Sequence, residues 1–161
     1  MNDRAKSIIA RLGLLPHPEG GYFSEVYRSD STVRPDDDRP ERPSLTSVHF
    51  LLTRDDMSSW HVVRSDEVWH FYEGDSLELL VVDPATMSLS RKKLGRVGDG
   101  QAPVQIVPAG HWQAARTLGD YTLVGCTVGP GFVFEDFRLL RDDEVEGSKL
   151  RAAFPELTGL L

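Results

Sequence analysis

From Leu45 to Leu140 the chain is cut into short runs in which apolar and polar residues alternate, and β-branched and aromatic residues dominate the apolar set. Leu45–Leu52, Trp60–Val63, Glu67–Glu73, Leu77–Asp83, Leu89–Lys93, Val104–Val107, His111–Arg116, Tyr121–Val128 and Phe132–Leu140 each have strand length. Turn residues separate many of them: Glu73-Gly74-Asp75, Asp83-Pro84, Pro108-Ala109-Gly110, Gly119-Asp120 and Gly129-Pro130-Gly131. With Tyr22–Arg28 this makes about ten closely spaced strands, which predicts an antiparallel sandwich or barrel rather than a parallel sheet. Asp3–Leu15 has helical spacing, with Ile8, Ile9 and Leu12 on one side and Gly13 as a stop. Asp142–Phe154 predicts a second helix, interrupted at Gly147. Ser29–Pro43 is polar and proline-rich, and predicts a surface loop.

The 161 residues fit a single domain spanning 1–161, with the β region at about 20–140 and the polar loop at about 29–43. The chain is acidic, with 18 Lys plus Arg against 25 Asp plus Glu and a formal charge of -7. That balance argues against nucleic-acid backbones and anionic membranes as partners. No apolar run approaches the ~20 residues of a membrane span. Met1–Ala10 lacks a signal-peptide core. A lone cysteine, Cys126, excludes an intramolecular disulfide, and its apolar neighbours predict a buried thiol. Together these predict a cytoplasmic protein.

The stretch Ser59–Gly74 concentrates the candidate chemistry. Strand period puts Glu67, Trp69 and Phe71 on one face and Val68, His70 and Tyr72 on the other. If Trp69 and Phe71 point inward, so does Glu67, and an inward carboxylate needs a partner. His61 is the natural one. An imidazole beside a carboxylate suits a general base near neutral pH. There is no dinucleotide fingerprint, phosphate loop, nucleophile elbow or paired-cysteine zinc motif. His17 lies between two prolines and reads as a loop residue. Glu19-Gly20-Gly21 is a turn from which Glu19 could reach a pocket. Arg64 reads as a solvated turn residue.

His61, Glu67 and Gly74 resemble the first motif of the cupin superfamily, G-x5-H-x-H-x(3,4)-E-x6-G. Pro108, Gly110 and Gln113 resemble the second, P-x-G-x-x-H, with Gln113 in the histidine position. Four stretches are more specific: Pro16–Tyr22 (PHPEGGY), Ser65–Phe71, Val107–Gln113 and Gly125–Phe132. They are similar to a small, largely uncharacterised family often called cupin-5, over about residues 12–140. The resemblance implies an all-β fold, a double-stranded β-helix or jelly-roll barrel with a short N-terminal and a C-terminal helix. It also implies a pocket in the barrel mouth and a homodimer, for which Val68, His70 and Tyr72 would form a contact face.

For function, the resemblance implies small-molecule binding inside the barrel. It leaves an isomerase- or epimerase-like enzyme, or a metal-dependent one, acting on a sugar, nucleotide-sugar or related metabolite. The alternatives are a non-catalytic metabolite-binding module or a structural dimeric barrel. His61 and Glu67 are the expected catalytic pair. Glu19, Tyr22, His49, Trp69, Phe71, Gln105, His111 and Gln113 are expected around the ligand. Metal-binding cupins use three histidines and a glutamate. Here Val63 occupies one histidine position and Gln113 another. A divalent Zn, Fe, Mn or Ni would therefore rest on His61, Glu67 and Gln113, with help from His49 or His111.

Overall fold

The computed structural model describes residues 1–161. In chain order the elements are α1 (Asp3–Leu12), β1 (Leu15–Pro16), β2 (Tyr22–Arg28), β3 (Thr32–Val33), β4 (Arg42–Pro43), β5 (Thr46–Thr53), β6 (Ser58–Val63) and β7 (Asp66–Gly74). There follow β8 (Leu77–Asp83), β9 (Ser88–Leu94), β10 (Val104–Val107), β11 (Trp112–Thr117), β12 (Tyr121–Gly129), β13 (Phe137–Leu139) and α2 (Glu144–Ala153). Two antiparallel sheets make the barrel, ordered β1-β2-β5-β12-β7-β10 and β13-β6-β11-β8-β9, and β3 and β4 form a separate ribbon. The fold is the expected all-β jelly roll with a helix at each end. No helix is long and apolar enough to cross a membrane.

Alternation along the strands builds three apolar layers. Between the sheets lie Phe50, Leu52, Trp69, Leu79, Val81 and Val124. The outward residues of the second sheet, among them Trp60, Val62, Leu80 and Trp112, are covered by the tail through Leu140, Leu150, Leu157 and Leu160. β6 is therefore buried on both faces, which explains its run of apolar residues on either side of His61. The Trp60 indole N–H donates to the Leu157 carbonyl at 3.2 Å, which ties the tail to β6. On the outer face of the first sheet, Ala5 and Ile8 of α1 pack on Leu51 and Leu123.

Two local expectations are corrected and a third is refined. The tail helix is not interrupted at Gly147 but runs on from an Asp143 cap, whose carboxylate accepts from the Val145 and Glu146 amides. Glycine fits there because a Cβ would lie 2.8 Å from the Leu140 carbonyl oxygen. Phe132–Leu140 is not one strand. A 3₁₀ turn at Phe134–Asp136 precedes β13. The polar segment Ser29–Pro43 is largely exposed, as a surface loop should be, but it carries the β3–β4 ribbon and is pinned where Arg39 and Arg42 are buried against Asp136.

Candidate active site in the barrel cavity

A cavity of about 340 Å³ opens between the two sheets at the end where His17, Glu19 and the Phe132–Phe137 segment meet. Its floor carries Glu19, His61 and Glu67, delivered by three different parts of the chain. Glu19 arrives through the Glu19-Gly20-Gly21 turn. Gly20 has φ +110°, and a Cβ there would sit 2.0 Å from the Met57 carbonyl oxygen, so no side chain fits. This close approach lets the Ser59 amide donate to the Glu19 carbonyl at 2.8 Å and the Ser58 hydroxyl to Glu19 Oε1 at 2.7 Å. His61 comes from β6, where Gln113 is its cross-strand neighbour on β11. Glu67 comes from β7 in the opposite sheet, flanked by Val107 and Val128.

The hydrogen bonds fix the proton positions. His61 Nδ1 lies 2.7 Å from the Ser59 carbonyl, which only accepts, so Nδ1 carries the proton. The Nε2 lone pair of neutral His61 then faces Glu19 Oε2 at 3.3 Å. His17 Nδ1 accepts from the Glu19 backbone N–H at 3.2 Å and lies 3.5 Å from Glu19 Oε2. Gln113 crosses the barrel. Its amide donates to Glu67 Oε2 at 2.6 Å, and its oxygen accepts from the Trp69 indole at 3.1 Å.

Burial sets the electrostatics. It pushes the carboxyls of Glu19 and Glu67 above the ordinary range, against the opposing influence of His17 on the first and His61 on the second. It pushes His61 and His17 below the ordinary imidazole range, although Glu67 and Glu19 respectively counteract it. The Cys126 thiol, buried beside Glu67, is pushed far up and behaves as an inert wall. Two carboxyls that ionise less readily than usual and two imidazoles that resist charging, those of His17 and His61, therefore line one cavity.

Of the residues expected around a ligand, Glu19 and Trp69 line the cavity with His61 and Glu67. Gln113 is a positioning residue behind the floor. Strand parity places others elsewhere. Val48 and Phe50 line the cavity, so His49 between them faces outward, edge-on to Tyr72 with ring centres 6.0 Å apart. Phe23 lines the cavity, so Tyr22 packs on the α1 side instead. Phe71 joins the core beyond the cavity. The Gln105 amide is spent on the Lys93 carbonyl. His111 sits in the turn before β11, 3.4 Å from the Ala109 carbonyl.

The expected metal site is not formed by these residues. Val63 offers no donor, the Gln113 oxygen is taken by Trp69, and His49 and His111 lie away from the floor. No group of three or more His, Cys, Asp or Glu is arranged to hold a metal ion.

Some lining residues are not among those expected around the ligand, although His17 and Phe132 lie in the motif stretches Pro16–Tyr22 and Gly125–Phe132. His17 packs edge-on against Phe23 at 4.6 Å and Phe137 at 5.7 Å. Phe132, Phe134 and Phe137 close one wall. Alternation along β2 is the one signal that points to Phe23. The folding-back of His17 depends on the Gly20 contact with Met57, which no linear pattern encodes.

The comparisons with known proteins agree with this architecture. The Cupin_5 family profile, described as cupin superfamily (DUF985), matches residues 6–140. The chain is similar to a hypothetical protein from Leishmania major of known structure, with 32% identity and a TM-score of 0.83 over 97% of this chain and 95% of that one. It is similar to protein SO0799 from Shewanella oneidensis, with 32% identity and a TM-score of 0.82 over 99% and 95%. The uncharacterized protein YML079W of Saccharomyces cerevisiae is 26% identical over 145 residues, which are 81% of this chain and 72% of the yeast one.

Proposed function

The chain belongs to the Cupin_5 family of the cupin superfamily, and we propose that it binds a small metabolite in its barrel cavity and moves protons on it, in the manner of an isomerase or epimerase. The observation that carries this reading is the convergence of Glu19, His61 and Glu67, two carboxyls and a neutral imidazole, on one enclosed space. The paired Glu19 carboxyl and His61 Nε2, 3.3 Å apart, would act together as the group that exchanges a proton with the ligand, and the Glu67 carboxyl would be the second proton-exchanging group. Gln113 holds Glu67 in place for this, and the Ser59 carbonyl holds the His61 ring. A metal-dependent reaction is not supported by the donor set.

The test works whatever the product is. Untagged protein is analysed by native mass spectrometry for co-purifying ligand, and that ligand is then incubated with the protein in D₂O. Proton transfer at carbon puts deuterium into the ligand. Replacing His61 by Ala should slow that uptake by about 10²–10⁴-fold, the usual contribution of a general acid or base. A ligand that binds but takes up no deuterium with the parent protein supports the second reading, a binding module without turnover.

The outer face of the first sheet supports self-association. Cross-strand register sets Ile106 beside Val68 and Val104 beside His70, and His70 and His49 flank Gly125 on either side. Tyr72, Val104 and Ile106 are each about half exposed. We read this apolar face as a homodimer contact. Light scattering at about 10 µM should give the dimer mass, and Ile106→Arg should give the monomer. A monomeric parent protein contradicts the reading.

A further inference from the structure

Taking the cavity as a ligand site, we infer that its occupant is an uncharged, mainly apolar molecule of about one to two rings, bearing a hydroxyl or carbonyl group, and not a phosphorylated or carboxylated compound. The charges lining the cavity carry the argument. Four carboxyl groups face it, from Glu19, Glu25, Glu67 and Glu135, against one guanidinium, that of Arg28. Arg28 is already spent. Its Nε and Nη2 bind the two Glu25 oxygens at 3.0 and 2.7 Å, and its Nη groups also reach the Phe132 carbonyl at 3.3 Å. Phosphate and carboxylate ligands are held by arginine forks, lysines or helix N-termini. None of these is free here, since α1 and α2 pack on the outside of the barrel. An anion would find no free cation in the lining to pair with its charge, since the one guanidinium is engaged by Glu25 and Phe132.

An organic cation is disfavoured for a different reason. The floor is already paired within itself: Glu19 with Ser58 and His61, Glu67 with Gln113. An ammonium group would have to be stripped of water and would force these groups to ionise among apolar walls, at a large desolvation cost. What the walls do offer is ring surface. Phe23, Phe50, Trp69, Phe132, Phe134 and Phe137 surround the space, and aromatic surfaces favour a flat or cyclic guest. The volume, about 340 Å³, lies at the lower end of the ~300–1,000 Å³ usual for ligand pockets. A nucleotide-sugar, one of the substrate classes expected from sequence, is thus disfavoured by charge and by size.

The test uses the full-length protein and five probes built on a six-membered ring: benzyl alcohol, cyclohexanone, benzylamine, benzoate and phenyl phosphate. Binding is read by saturation-transfer NMR and by direct titration. Two cavity-filling variants, Val48→Phe and Val63→Phe, each checked for fold by circular dichroism, identify the signal that belongs to the cavity. The expected result is cavity-dependent binding of benzyl alcohol or cyclohexanone, with benzylamine, benzoate and phenyl phosphate weaker by at least about tenfold. Equal or tighter binding of any charged probe overturns the inference but leaves the pocket standing. If no probe gives a signal that the variants remove, the ligand-site reading itself falls with it.

Discussion

Replacing Asp136 by Ala should lower the stability of this protein by about 3–5 kcal/mol, the cost of breaking a buried ion pair from one side. Asp136 sits in the 3₁₀ turn between Phe134 and β13 and is almost wholly buried. Its carboxylate receives Arg39 Nη1 at 3.2 Å and a close contact from Arg42 Nη1. Arg39 keeps other partners after the change, the Asp37 carboxylate and the Ser65 hydroxyl. Arg42 keeps only the Pro40 carbonyl, so its buried charge is left without an opposite charge. For a domain of this size the loss corresponds to a fall in Tm of roughly 6–20 °C. The double variant Asp136→Ala, Arg42→Met removes the stranded charge as well and should recover part of the loss. The Phe132–Phe137 wall of the cavity depends on this anchor, so ligand binding should weaken in the single variant at temperatures where it is still folded. A change in Tm below about 2 °C would show that the pair is open to water.

The strand pattern is readable because the runs from Leu45 to Leu140 have period two, and glycine or proline marks many of their ends. Parity alone puts Glu67 and Trp69 inside. The same rule, applied to Val48 and Phe50, places His49 outside, although its residue type makes it attractive as a ligand. The remaining differences have physical causes that a linear pattern does not carry. The Ser29–Pro43 segment looks like a solvated loop by composition, but two of its three arginines, Arg39 and Arg42, are buried because Asp136, about a hundred residues away, meets them. Glu19 lines the cavity as its turn leads one to expect, but His17, which reads as a loop residue between two prolines, is folded into the same cavity beside it. Phe132–Leu140 has strand-like composition, yet its first half turns to wall the cavity. The motif residues His61 and Glu67 do meet the same chamber, but Glu19 is the carboxyl directly opposite the His61 lone pair.

The second large effect concerns pH. Glu19 and Glu67 hold their protons more tightly when folded than when unfolded. The folded state therefore binds more protons than the unfolded state above the ordinary glutamate range. Stability is fully present below that range and falls as pH rises through the folded values. Each group contributes a slope of at most about 1.4 kcal/mol per pH unit in that window. His17 and His61 act in the opposite sense. Their folded values lie below the ordinary imidazole value, so they add stability above about pH 6.5 that is lost as pH falls through the folded values. Replacing Glu67 by Gln keeps the shape and still offers the Gln113 amide an acceptor oxygen, but removes one titration. At pH 4 the variant and the parent should be of similar stability. Toward pH 8 the variant should become the more stable by a margin that widens and then levels off.

The decisive measurement is the denaturant-unfolding free energy of the parent, Glu19→Gln and Glu67→Gln proteins across pH 4–8. The structure predicts that both variants gain stability over the parent as pH rises above the ordinary glutamate range. Variant-minus-parent differences that stay flat, or that turn against the variants as pH rises, would mean that these carboxyls ionise freely in the folded protein, and the proton-transfer chamber would not exist.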